Sequence, residues 1–226
     1  MDEVYIYDLL VDISSFLSGW QARELSLMNK KSKDVLYHIT RISSAFITNL
    51  TPFKNLVSLD ISYNKYIKFI SSISSLERLY LVENHYITDI SHLDNLTHLD
   101  LGNNRTFSDI QQLTNLRYLN LYNNQKISDI SMLTNLTRLD LESNNMIHNI
   151  SSLTNLIHLS LKSSDAITNI SNLTNLTSIN LWCNITIRDV SMLIKLKTIY
   201  VDHLRRVKFD RETQPDLKSI VPHYHY

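Results

Sequence analysis

The chain has 226 residues and is 43% hydrophobic, enough for one or two domains with a sizeable core. Its 22 basic residues balance its 22 acidic ones, which argues against nucleic acid or an anionic membrane as a partner gathered by net charge. Cys183 is the only cysteine, so an intramolecular disulfide is excluded and a reducing, cytoplasmic compartment is expected.

No stretch approaches the eighteen apolar residues of a membrane span, and the start, MDEVYIYDLL, is acidic where a secretory leader would be basic. Gly 2 and Pro 3 compare with roughly 16 and 11 at average usage, whereas Ile, Asn, Lys and Tyr are abundant. All four have A/T-rich codons, which suggests an A/T-rich genome such as that of a large DNA virus.

Residues 1–44 carry helical spacing: Leu9, Leu10, Ile13, Phe16 and Leu17 mark one face, Gly19 ends it, and Trp20 to Leu27 and Lys33 to Ile39 follow as two short helices. These three helices would form an N-terminal cap, since a stacked array must cover its first apolar layer.

From there the chain repeats. Leu56, Leu76, Leu96, Leu116, Leu136, Leu156, Leu176 and Leu196 stand in one column, a strict period of 20 residues. Such a period signals a solenoid. Ile47, Leu50 and Phe53 open it with a half unit, and the repeat domain spans 45–210. Counting from the leucine as position 1, apolar residues fall at 4, 6, 12, 15 and 18, and asparagine at 9. The step of two between positions 4 and 6 predicts a strand, and the steps of three thereafter predict 3₁₀ or extended turns on the convex side. Asn64, Asn84, Asn104, Asn124, Asn144 and Asn184 form the position-9 column, read as a hydrogen-bonded ladder because unpaired buried amides are costly. Leu204 then replaces the asparagine and Asp210 the isoleucine, so the period is expected to end there, leaving 211–226 as a tail.

Positions 3, 5 and 7 face outward on the concave side, with coils ~4.8 Å apart. They present Arg78, His98, Tyr118, Arg138 and His158 in one row, Tyr80 and Asp100 in the next, and Tyr122 and Trp182 in the third. Single strand residues of these types usually only solvate a sheet. Long cationic or aromatic groups in five consecutive units instead predict a binding face for a protein, because Tyr, Trp and Arg dominate interface energy.

Catalytic chemistry finds no foothold. His98 and His158 are three coils apart, about 14 Å, and cannot share a metal ion. His203, His223 and His225 have no recognised ligand spacing, and Cys183 has no base in the pattern. With only Gly19 and Gly102 there is no phosphate loop. The expectation is a monomeric binding protein without cofactor or metal, not an enzyme.

LxxLxLxxN, repeated through Ile47 to about Phe209, resembles the leucine-rich repeat signature, in its short bacterial and viral type. That resemblance implies an α/β solenoid with a parallel sheet on the concave face. The stretch YIYDLLVDISSFLSGWQARELSLMNKKSKDVLYHI, placed directly before the repeats, resembles an F-box. Tyr5-Ile6 stands where that family carries Leu-Pro, and no tryptophan follows Lys30 in the segment. An F-box would imply docking of Leu9, Leu10, Ile13, Phe16 and Leu17 to the Skp-type adaptor of a cullin-RING ubiquitin ligase, with a target on the repeats. The alternative is a plain interaction scaffold whose N-terminal helices only cap it.

Overall fold

The computed structural model describes residues 40–53, 55–70, 73–202 and 207–220. Among them ten three-residue strands pair in parallel, in sequence order, as one sheet: β1 (Arg41–Ser43), β2 (Ser58–Asp60), β3 (Arg78–Tyr80), β4 (His98–Asp100), β5 (Tyr118–Asn120), β6 (Arg138–Asp140), β7 (His158–Ser160), β8 (Ser178–Asn180), β9 (Thr198–Tyr200) and β10 (Lys218–Ile220). From β2 to β10 every partner lies 20 residues away, as in Arg78↔His98 and Lys218↔Thr198. The sequence period has become the sheet register.

Strands β1 to β9 each bury the central residue and turn its neighbours outward, as alternation requires. In the coil that begins at Leu96, the side chains of Leu96, Leu99, Leu101, Phe107, Ile110 and Leu113 are all buried. Stacked coils make these layers one continuous core.

The convex side contains no helix among the described residues between Ile67 and Lys195. The three-residue step resolves into separate turns rather than a continuous 3₁₀ helix. The Leu93 amide donates to Ile90 O and the Leu96 amide to Leu93 O, so each turn is framed by two buried apolar residues. A third turn leaves the strand: the Asn84 amide donates to Leu81 O, with Glu83 between them at φ 51°. A positive φ at that place is the type II pattern. It recurs at Tyr63, Asn103, Asn123, Ser143, Ser163 and Cys183, and it aims the Glu83 and Asn103 amides at Gly102 O and Tyr122 O of the next coil.

The asparagine column closes the remaining turn. Asn84 is fully buried; its Oδ1 accepts from the amides of Tyr86 and Ile87, and its Nδ2 donates to Ile61 O and Asn64 O of the preceding coil. Asn124 repeats this with Leu101 O, Asn104 O and the amides of Lys126 and Ile127. Ser164 keeps one rung, its hydroxyl donating to Asn144 O.

Both ends extend further than the repeat text indicates. The expected helical segment reached residue 44, but Arg41–Ser43 is strand, with Ile42 buried and Arg41↔Ser58 in register. That coil is three residues short: Ser44 follows the strand directly, and its hydroxyl oxygen accepts from Phe46 and Ile47 amides as Asn64 Oδ1 does from Tyr66 and Ile67. The shortening hides it from a 20-residue ruler. The rest of the segment, with Leu9, Leu10, Ile13, Phe16, Leu17 and the expected three-helix cap, lies outside the described residues, as do His203, Leu204, His223 and His225.

At the other end the expected tail contains β10, still in period. The apolar pattern is lost because Gln214 takes over the closure. Its buried amide donates to Val190 O and Leu193 O and accepts from the Asp210 amide, tying the closing segment to the last coil.

Candidate functional site

The outward face of the sheet, expected to be the concave one, is built by register. Because every strand pairs at an offset of 20, position 3 of each coil lies beside position 3 of the next: Arg78 by His98, His98 by Tyr118, Tyr118 by Arg138, Arg138 by His158. Position 5 forms the second row, with Tyr80 on β3, Asp100 on β4 and Asp140 on β6. Tyr122 and Trp182 stand in the turns after β5 and β8. All nine residues singled out from the sequence share this face: Tyr122, Arg138 and His158 are exposed, and Arg78, Tyr80, His98, Asp100, Tyr118 and Trp182 are half-buried.

The His98 and Tyr118 rings stack, with centroids 5.8 Å apart and planes 21° from parallel. The Thr97 hydroxyl lies 3.1 Å from Glu77 O and 2.8 Å from Nδ1 of His98, which holds the ring in place. Burial, then the neighbouring Arg78, lowers the His98 pKa, and burial, then Arg138, lowers that of His158.

The acidic row does structural work. Asp60, Asp100 and Asp140 each accept, through Oδ1, the amide two residues on, those of Ser62, Gly102 and Glu142. Asn120 and Asn180 do the same for Tyr122 and Trp182. These Asx turns explain why the position carries Asp and Asn. The second oxygens are used as well: Ser43 Oγ donates to Asp60 Oδ2, and Asn120 Nδ2 to Asp100 Oδ2. Burial raises the Asp100 and Asp140 pKa values, only partly offset by those hydrogen bonds. Tyr118 is raised too, by burial and then by Asp100 and Asp140. Further along, Lys162 and Glu142 pair at 2.8 Å. The face thus offers aromatic area and cationic donors, over carboxylates already engaged by the fold.

Sequence reasoning did not isolate a second exposed row. Phe46, Tyr66 and Tyr86, at position 11 of three consecutive coils, are 64%, 45% and 46% exposed on the flank beyond the sheet, with the Lys65 ammonium 5.5 Å from the Tyr66 ring centre. Three aromatics in one column was the available signal. Among the described residues no three His, Cys, Asp or Glu side chains converge as a metal site would need, and no helix is long and apolar enough to cross a membrane.

The sequence profile of the family described as Leucine Rich repeats (2 copies) matches residues 94–135 and 114–155. Among solved structures, the chain is similar to an internalin, inlF, from Listeria monocytogenes, with 27% identity and a TM-score of 0.61 over 83% of this chain and 68% of that one. It is also similar to internalin C2 of the same organism, at 23% identity and a TM-score of 0.60, covering 85% and 92% of the two chains. The functional domain of Listeria InlJ follows, at 21% identity and a TM-score of 0.56, with 80% of this chain but 48% of that one covered. A search of curated proteins finds no match. The chain is a parallel-strand solenoid whose repeats and fold are similar to those of leucine-rich repeat proteins.

Proposed function

We propose that this chain binds a partner protein on its concave face, as a monomer and without catalysis. The observation that carries the reading is the unbroken row Arg78, His98, Tyr118, Arg138 and His158, brought side by side by the register. Fold maintenance does not call for such residues there, since Ser58, Ser178 and Thr198 occupy the same position on β2, β8 and β9. Large side chains are concentrated over five adjacent strands, where a partner would meet them together. Tyr and Arg are the types that dominate interface energy. A photo-crosslinking residue in place of Tyr118 should capture the partner in a cell extract, and the same residue in place of the convex Asp129 should not. Equal capture from both sites would remove the concave face from consideration.

The finer reading is a substrate receptor of a cullin-RING ubiquitin ligase in the cytoplasm. It is supported by the resemblance of residues 1–44 to an F-box, with Leu9, Leu10, Ile13, Phe16 and Leu17 as the adaptor contacts. Its test is co-elution of the full chain with a purified Skp-type adaptor, and loss of co-elution when Leu10 and Ile13 become aspartate. A melting curve separates lost contacts from lost fold. Failure of the unchanged chain to bind the adaptor would leave a scaffold without the ligase link.

A further inference from the structure

Deepening the concave-face reading, and resting on it, we infer that the row Arg78, His98, Tyr118, Arg138 and His158 takes an acidic segment of the partner, one carboxylate at each arginine, and takes it more tightly as pH falls. The argument is an account of donors and acceptors rather than of net charge. Neither Arg78 nor Arg138 forms an ion pair among the described residues. The carboxylates of the adjoining row are engaged by the fold: Asp60 by the Ser62 amide and Ser43 hydroxyl, Asp100 by the Gly102 amide and Asn120 side chain, and Asp140 by the Glu142 amide and Ser160. What remains uncommitted on this face is mostly N–H and phenolic O–H. Arginine forks match carboxylates in particular, through two parallel hydrogen bonds.

Spacing sets the length of the ligand. The two arginines are three coils apart, ~14 Å at the spacing of paired strands, so carboxylates about four residues apart in extended chain reach both. A segment lying across the strands would pass over the His98–Tyr118 stack between them.

The histidines supply the pH response. With Nδ1 of His98 against the Thr97 hydroxyl, the neutral ring carries one N–H and one lone pair. Protonation converts it to a donor. His98 faces Arg78 and Glu77 on the β3 side, Tyr118 on β5, and Asp100 on its own strand. His158 pairs with Arg138 on β6 and Ser178 on β8, with Asp140 in the adjoining row of β6. In each pair the arginine opposes protonation, and an incoming carboxylate relieves that opposition. Binding and proton uptake are therefore linked.

The test uses the full chain and a labelled poly-L-glutamate of about 20 residues, followed by fluorescence anisotropy at low salt, with poly-L-lysine and an oligothymidine of similar length beside it. Poly-glutamate should bind about tenfold or more tightly near pH 5.5 than near pH 7.5, since two imidazoles acquire charge between them. R78Q/R138Q should weaken it about tenfold or more at both values, and H98Q/H158Q should remove the pH dependence while leaving the pH 7.5 affinity in place. These outward substitutions are accompanied by melting curves to show the fold retained. Absence of poly-glutamate binding near pH 5.5, or binding indifferent to R78Q/R138Q, overturns the proposal. So does tighter binding of oligothymidine. Preference for poly-lysine, abolished by D100N/D140N, would overturn the acidic partner while leaving the concave site standing; the Tyr118 crosslinking experiment judges that site independently.

Discussion

Replacing Asn124 by alanine removes four hydrogen bonds at once from a fully buried position. Two are donated by Nδ2, to Leu101 O at 3.3 Å and Asn104 O at 2.7 Å. Two are accepted by Oδ1, from the amides of Lys126 at 3.0 Å and Ile127 at 3.1 Å. A buried intramolecular bond contributes a net ~0.5–1.5 kcal/mol, so the four together come to ~2–6 kcal/mol. The lower half is the better expectation, because the 3.3 Å bond is long and turn amides near the surface recover some water. Equilibrium urea titration of Asn124→Ala should therefore show a loss of about 2–4 kcal/mol. Ser164 offers an internal control, since a hydroxyl there sustains one rung to Asn144 O. Asn124→Ser should thus fall between wild type and alanine, and Ser164→Asn should be neutral or stabilising. A loss under about 0.5 kcal/mol for Asn124→Ala, or a clear loss for Ser164→Asn, would refute the ladder as a source of stability.

Four further outcomes follow from particular residues. Glu83, at φ 51°, sits in the left-handed region, so Glu83→Gly should raise stability by ~0.5–1 kcal/mol and Glu83→Val lower it by ~1–2 kcal/mol, read from urea midpoints. Burial raises the Asp140 pKa, so folding favours its protonated form: stability is greatest below the unfolded pKa near 3.9 and declines as pH rises through the higher folded value. Asp140→Asn, which keeps the Asx turn as Asn120 does, should raise the melting temperature at pH 7 more than at pH 3.5. Asp189 is the opposite case: hydrogen bonds from Ser191, then Lys208, hold it down to about 2, so its contribution is present at neutral pH and lost as pH falls from about 4 toward that value. Gln214→Ala should cost about 1–3 kcal/mol by removing the buried hydrogen bonds of its amide to Val190 O, Leu193 O and the Asp210 amide, and should speed amide exchange in β10 relative to β5.

The 20-residue period made the register, the buried positions and the asparagine ladder legible in the sequence, because each depends on the same contact made again in every coil. Asn124 can be read as a buried amide only because Asn104 and Asn144 stand beside it. What the text hid were local substitutes. Ser44 performs the turn closure of Asn64 in a coil shortened by three residues, and Gln214 is buried over the last coil at a position where other coils carry the exposed Asp94, Thr114, Thr134 and Thr154. The left-handed residue before each ladder asparagine was also invisible, since Tyr63, Glu83, Ser143 and Cys183 are not residues that announce a positive φ. Asp100 was read as a contact for a partner, and its outward placement holds. Its hydrogen bonds to the Gly102 amide and Asn120 side chain depend on backbone geometry that a face assignment alone does not contain.

The claim that the concave row is the binding surface is tested most directly by comparing the wild-type chain with Tyr118→Ala/Arg138→Ala/Trp182→Ala against a partner recovered by crosslinking from the Tyr118 position. These side chains stand outside the core, so the melting temperature should stay within a few degrees of wild type. Loss of each interface anchor costs ~2 kcal/mol or more, and the triple variant should bind more than about a hundredfold more weakly in calorimetry. An unchanged dissociation constant in a folded triple variant would contradict the account.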